Sequence, residues 1–361
     1  MKIGRSILFN MINVLYRVAK PRKRIIQLDG ITSIVVYLKG GIGDFFLLLP
    51  TLKAIKENSK INIQLFVPRR IKEIASRYNY FHSIVEIKRN KDNLLERVQS
   101  FIHEFKLLYT FNFQLLYIPP IGSNLVISLI GLFIRKKKIV GFNNSECIHQ
   151  YDYLLEFSST TVVSQNAKFL SILGIQVPIT IEDLPSHMFK YNYNDSVMSE
   201  ILFNDKKNII CIYPTTSDEK KDNEVFDVRS FSILIKNMAK YNTKYLFVIL
   251  GGQNDSKYCG LLKELLSPKI VCHCFANNKD IFINASLVAR SKAIVGIDGG
   301  FMHVVQSLNV RKVTLWKSEN YLLYGYESGN NLNIDIRKYA NSHSLHNVKE
   351  LAKVIHEFIE Q

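Results

Sequence analysis

Ile34-Val35-Val36-Tyr37-Leu38, then Lys39-Gly40-Gly41-Ile42-Gly43-Asp44, then an apolar run ending at Pro50: this stretch decides the fold. The first five residues are uncharged and mostly β-branched or aromatic, the composition of a strand buried on both faces. Leu47 to Lys56 reads as a helix. A glycine-rich turn between strand and helix lets another molecule approach the backbone and leaves helix N–H groups pointing at that space. Gly41 and Gly43 shape this loop, and Asp44 at its mouth is positioned to act on whatever sits there. Capping the helix is the other role open to Asp44.

A second turn of this kind lies about 250 residues downstream, where Ala293-Ile294-Val295-Gly296-Ile297 runs into Asp298-Gly299-Gly300-Phe301-Met302-His303. Two aspartate-bearing glycine turns predict an α/β protein of two Rossmann-like halves facing a central cleft. Neither turn has the dinucleotide spacing GxGxxG or a Walker A sequence, which counts against a nucleotide-dependent oxidoreductase.

Working outward, strand-like and helix-like runs alternate, the pattern of parallel sheet with helices on both faces. In the first half, strands are expected at 34–38, 61–66, 83–87, 115–117 and 138–141, with helices at 47–56, 71–77, 94–105, 125–135 and 164–173. An irregular stretch from Val177 to Asn194, carrying Pro178 and Pro185, reads as a linker. In the second half, strands are expected at 208–213, 245–250, 269–272, 293–297 and 312–315, and helices at 230–240, 259–266, 281–289, 302–308 and 347–359. The expected division is a basic extension over 1–30, a first Rossmann-like domain over 31–190, a second Rossmann-like domain over 191–345 and a closing helix over 346–361.

With 47 Lys+Arg against 31 Asp+Glu, the net charge of +16 attracts polyanions: nucleic acid, an anionic membrane surface or phosphorylated substrates. Without zinc-finger spacing or an RNP motif, nucleic acid is the weakest of the three. The five cysteines are odd in number and scattered, which points to a reducing, cytoplasmic compartment. Cys272-His273-Cys274 reads as alternation on a strand rather than a metal cluster, because no second pair accompanies it. As a helix, the N-terminal segment puts Ile7, Met11, Val14, Leu15 and Val18 on one side, with Lys2, Arg5, Arg17 and Lys20 elsewhere. That suits peripheral attachment as an interfacial helix on an anionic bilayer, and it suits equally a helix packed on the domain. The run Leu125–Ile134 is too short to span a bilayer.

Three strand ends of the second half carry polar chemistry. Pro214-Thr215-Thr216-Ser217 offers hydroxyls to phosphate oxygens, with Lys220 close behind to neutralise charge. At Gly251-Gly252-Gln253-Asn254-Asp255 the glycines allow close approach and Asp255 can accept ribose hydroxyls. Asp298-Gly299-Gly300 opens a helix, with His303 one turn in as a hydrogen-bond donor to phosphate. Each is, taken alone, an ordinary turn.

Together these residues resemble glycosyltransferase family 9, the lipopolysaccharide heptosyltransferase family, over about residues 31–316. The matching segments are the Gly43-Asp44 turn running to Pro50, Val140-Gly141-Phe142, Pro214-Thr215-Thr216 with Lys220, Gly251-Gly252, and Asp298-x-Gly300-Phe301-Met302-His303. The resemblance implies a GT-B-type fold and an inverting sugar transfer from a nucleotide-sugar, ADP-heptose by family default, without metal or cofactor. It implies Asp44 as general base, and Thr215, Thr216, Lys220, Asp255, Asp298, Gly299, Gly300 and His303 as donor and diphosphate ligands. The implied acceptor is a phosphorylated glycolipid of lipopolysaccharide or a related surface glycan. Gly299 stands where family members often carry Ser or Thr, so a non-heptose donor is one alternative and a non-catalytic nucleotide-sugar-binding protein another.

Overall fold

The structure is a computed structural model describing residues 30–87, 94–120, 134, 137–142, 151–158, 160–179, 208–215, 226–266, 268–278, 280–326, 328–340 and 345–361. The chain divides into two compact units, Met1–Ile181 and Glu182–Gln361.

In chain order, the described elements of the first unit are β1 (Ser33–Tyr37), α1 (Ile42–Asn58), β2 (Asn62–Pro68), α2 (Arg69–Ala75), β3 (Ser83–Ile87), α3 (Leu94–Thr110), β4 (Leu115–Tyr117), β5 (Lys138–Phe142), β6 (Tyr153–Leu155) and α4 (Val162–Ile172). The strands form one sheet in the order β3-β2-β1-β4-β5-β6, and each pair within it is parallel. Chain direction across the sheet reverses beside β1, so the β1/β4 gap is the topological switch point, the place where such sheets bind ligands.

α1 starts at Ile42, five residues earlier than expected, because Gly41 is its N-cap and the glycine turn itself supplies the first helical residues. Pro50 lies inside this helix and withholds one backbone donor. Asn166 of α4 donates to the nearby Leu47 carbonyl at 3.3 Å, while its own carbonyl oxygen accepts from the Tyr117 hydroxyl at 2.9 Å. Phe45 and Phe46 are fully buried. Truncating either to alanine would cost about 3–5 kcal/mol.

The second unit runs β7 (Ile209–Tyr213), α5 (Val228–Tyr241), β8 (Leu246–Gly252), a 3-10 turn at Gln253–Asp255, α6 (Ser256–Leu265), β9 (Cys272–Asn278), α7 (Ile281–Val288), β10 (Ala293–Ile297), α8 (Gly300–Val304), a 3-10 turn at Val305–Ser307, β11 (Arg311–Trp316), α9 (Tyr321–Tyr324), β12 (Asn331–Asp335), α10 (Arg337–Ala340) and α11 (Leu345–Glu360). Its parallel sheet has the order β12-β11-β10-β7-β8-β9. Renumbered from one, this is the order of the first sheet, with the switch point between β7 and β10. The fold is therefore GT-B-type: α/β, with two Rossmann-like domains.

Several expectations need correcting. The strand placed at 269–272 is β9, at Cys272–Asn278; Ile270 and Val271 only lead into it. Two strands, β6 and β12, were not foreseen. All three are sheet edges, which pair on one side only and need no continuous apolar run. The helix expected over 302–308 is α8, five residues long, tightening into a 3-10 turn. The helix expected over 125–135 lies outside the described residues apart from Ile134.

Candidate functional site

At the first switch point, Leu38 to Gly41 leave β1 and Asp44 occupies the third position of α1, half-buried. Its Oδ2 accepts the Gly41 backbone N–H at 2.6 Å. That is half of a capping box, since Gly41 has no side chain to return the bond. A carboxylate has about four lone-pair sites, and this bond uses one while holding the group in a fixed orientation. Gly40 is required by closeness: a Cβ there would sit 2.2 Å from Asp44 Oδ2.

Sequence reasoning missed what lies beneath this turn. Glu104 of α3 is fully buried and accepts from Lys39 Nζ and Ser100 Oγ, both at 2.8 Å, and from the Tyr37 hydroxyl. Lys39, the residue before the glycines, is thereby fixed to the core. The signal was available: Ser100, Glu104 and Leu108 share one stripe of α3, and a glutamate on a buried stripe requires a partner.

In the second unit three neighbouring strands, β10, β7 and β8, end in the three polar turns. Tyr213 pairs in register beside Gly296, and its ring lies 4.5 Å from that of Phe301 in α8, tying the β7 and β10 ends together. Thr215, two residues on, is 6% exposed, and its Oγ1 has no hydrogen-bond partner among the described residues. A buried hydroxyl left unpaired carries a desolvation cost that a hydrogen bond to a ligand oxygen would offset. Thr216 and Lys220 lie outside the described residues.

Asp298 is a third exposed, with His303 Nε2 at 3.6 Å from its Oδ1. His303 is buried, and its Nδ1 lies 3.2 Å from the Tyr326 hydroxyl. Because α8 is a single short turn, its dipole adds little beyond its first N–H groups, here those following Gly299 and Gly300. Asp255 is buried, and its Oδ2 accepts the Gly252 N–H at 2.7 Å. This repeats the Asp44 turn: Gly-Gly-x-x-Asp occurs at 40–44 and at 251–255 with one geometry. The structure thus gives Asp255 a turn-closing role that needs no ligand.

Cys272 and Cys274 pair opposite Phe247 and Ile249 and pack against the second core. Burial, with Cys274 beside it, pushes the Cys272 thiol up to about 12, so at neutral pH it stays a thiol and is a poor nucleophile.

The profile of glycosyltransferase family 9 (heptosyltransferase) matches residues 124–355, well over half of the chain. The chain belongs to glycosyltransferase family 9. It is accordingly a glycosyltransferase. Among curated proteins no sequence match was found. Among solved structures, this family 9 transferase is similar to the family 9 glycosyl transferase from Veillonella parvula DSM 2008, at 14% identity and TM-score 0.66, covering 94% of this chain and 99% of that one. It is similar to the E. coli heptosyltransferase WaaC with ADP, at 14% identity and TM-score 0.63, covering 90% and 99%. It also resembles the UDP-GlcNAc 2-epimerase from Neisseria meningitidis bound to UDP-GlcNAc, at 14% identity and TM-score 0.56, covering 91% and 93%. At such identities the likeness is one of fold; the family profile is what separates transfer from epimerisation here.

Proposed function

We propose that this family 9 transferase moves a sugar, heptose by family default, from a nucleotide-sugar to a hydroxyl of a lipopolysaccharide-type or related surface glycan, with inversion at the anomeric carbon. The observation that carries the donor half is the orphaned Thr215 hydroxyl, next in the sheet to the Asp298–His303 turn. The second unit holds the nucleotide diphosphate through Thr215, Thr216, the N–H groups of the Gly299-Gly300 turn and His303, with Lys220 and not a metal ion meeting its charge. Asp255 lies on the ribose side.

Asp44 of the first unit takes the proton of the acceptor hydroxyl as that oxygen bonds to the anomeric carbon. The bond from that carbon to the diphosphate oxygen breaks in the same displacement, and the electron pair leaves with the nucleoside diphosphate. Lysine and hydroxyl donors stabilise the charge that grows there. One displacement inverts the centre. Gly299, which offers no hydroxyl, is the observation behind a non-heptose donor as the second reading.

A thermal-shift panel of ADP, GDP, UDP, CDP and dTDP tests the donor. Selective stabilisation by ADP supports the ADP-heptose class, selectivity for another nucleotide moves the protein to another sugar, and no response to any of them ends the donor reading. No described helix is long and apolar enough to cross a membrane. Contact with the acceptor's bilayer is assigned to the basic residues 1–30 and is tested by flotation with anionic vesicles, with and without that segment; an intact chain that stays at the bottom removes the assignment.

A further inference from the structure

His303 is approached from two sides. Nε2 faces the Asp298 carboxylate at 3.6 Å, and Nδ1 faces the Tyr326 hydroxyl at 3.2 Å. A neutral imidazole donates at one nitrogen and accepts at the other. An ionised carboxylate only accepts, so the side facing Asp298 favours the proton on Nε2. Nδ1 is then the acceptor and requires a donor.

Tyr326 meets that requirement. Burial, reinforced by the charge of Asp298, pushes its phenol well above the ordinary value, so it keeps its proton. Its backbone is held as well. Asn333 Nδ2 donates to the Tyr326 carbonyl at 2.9 Å, and Asn333 Oδ1 accepts from Trp316 Nε1 at 2.9 Å, so the amide can face only one way. The indole N–H of β11 thus fixes the loop that carries the tyrosine.

We propose that Tyr326 is a positioning residue: its hydroxyl donates to His303 Nδ1 and fixes the imidazole proton on Nε2, where it is offered to an anionic group at the Asp298 turn. With the opposite tautomer His303 would present a lone pair to that group and repel it. This deepens the donor-site reading above, on which its functional half rests. In the ligand-free protein the Asp298 carboxylate is the anion facing Nε2, and a diphosphate oxygen takes its place when the donor binds.

The test is long-range proton–nitrogen correlation NMR on the uniformly nitrogen-15-labelled chain at pH 7.5–8, with the His303 signals identified by their loss in His303→Gln. The expected result is the Nε2–H pattern in the unaltered protein and a mixed pattern in Tyr326→Phe, with ADP dissociation constants about tenfold higher in that variant. An Nδ1–H pattern in the unaltered protein, which needs no variant to fold, overturns the proposal. So does an unchanged pattern in Tyr326→Phe, and both leave the transferase reading intact. A lost tautomer preference with unchanged ADP affinity instead overturns the assignment of this turn to the diphosphate.

Discussion

Replacing Thr215 by valine separates stability from binding by sign. The side chain is 6% exposed and its hydroxyl lacks a partner, so the folded, ligand-free protein carries a desolvation cost of about 1–3 kcal/mol at this atom. Valine has nearly the same shape and no polar group. Thr215→Val should therefore stabilise the ligand-free protein by about 1–2 kcal/mol, a rise of roughly 2–8 °C in Tm for a domain of this size. If the hydroxyl donates to a diphosphate oxygen, the same change removes a hydrogen bond to a charged group, and affinity falls about 10- to 150-fold. Scanning fluorimetry without ligand gives the first quantity and calorimetric titration with ADP the second. Thr215→Ser, which keeps the hydroxyl, should bind ADP nearly as the unaltered protein does. A lower Tm for the valine variant would mean that the hydroxyl is already satisfied. Unchanged ADP affinity would mean that it does not face the nucleotide. Either result refutes the reasoning.

Asp44→Asn should cut kcat by about 10²–10⁴ while ADP affinity is kept, measured by product formation from a nucleotide-sugar; full retained turnover would remove Asp44 as the base. Gly40→Ala puts a methyl group 2.2 Å from Asp44 Oδ2, so the carboxylate must retreat by roughly 1 Å, with a loss of about 10² in kcat and a modest change in Tm. At Glu360, burial works to raise the carboxyl pKa, but the hydrogen bonds from Lys292 and Tyr245 and the lysine charge prevail and hold it below its ordinary value. A group depressed on folding stabilises the protein above its unfolded pKa, about 4.3, and that contribution drains away as the pH falls through the lower folded value. For this partly exposed group the gain is about 0.5 kcal/mol. The urea midpoint of Glu360→Gln should therefore lie below that of the unaltered protein at pH 7 and meet it near pH 3, and equal stability at pH 7 would contradict the ion pair.

The central strands were legible because both faces are buried: β1, β7 and β10 each read as an unbroken apolar run bounded by glycine or polar residues. The edge strands β6, β9 and β12 were misplaced or missed because one side of each lacks a pairing partner and the sequence can afford Asn331 and Asn333 beside Leu332 and Ile334. In the site, the residues that announce themselves are those on turns. Asp44, Thr215 and Asp298 sit next to glycine or proline at strand ends, and the sequence marks such places clearly. Glu104 and Tyr326 do not, since each acts across tens of residues, on Lys39 and on His303, and only the fold brings the partners together. The Gly-Gly-x-x-Asp repeat shows the limit of local reading: two turns closed by the same Asp-to-glycine hydrogen bond lie on different strands, β1 at a switch point and β8 one strand removed from one.

The packing of α11 has a consequence for the order in which the protein comes into being. Val348, Leu351, Ala352, Ile355 and Ile359 belong to the same core as Phe231, Leu234, Ile235 and Met238 of α5. Arg311 donates to the Phe358 carbonyl at 2.6 Å, and Lys292 clasps Glu360 at 2.7 Å. On the ribosome, then, the first unit can close while the second is still being translated. The second must keep the face of α5 uncovered until residue 359 has cleared the exit tunnel. During that interval its apolar surface is open to chaperones and to other nascent chains.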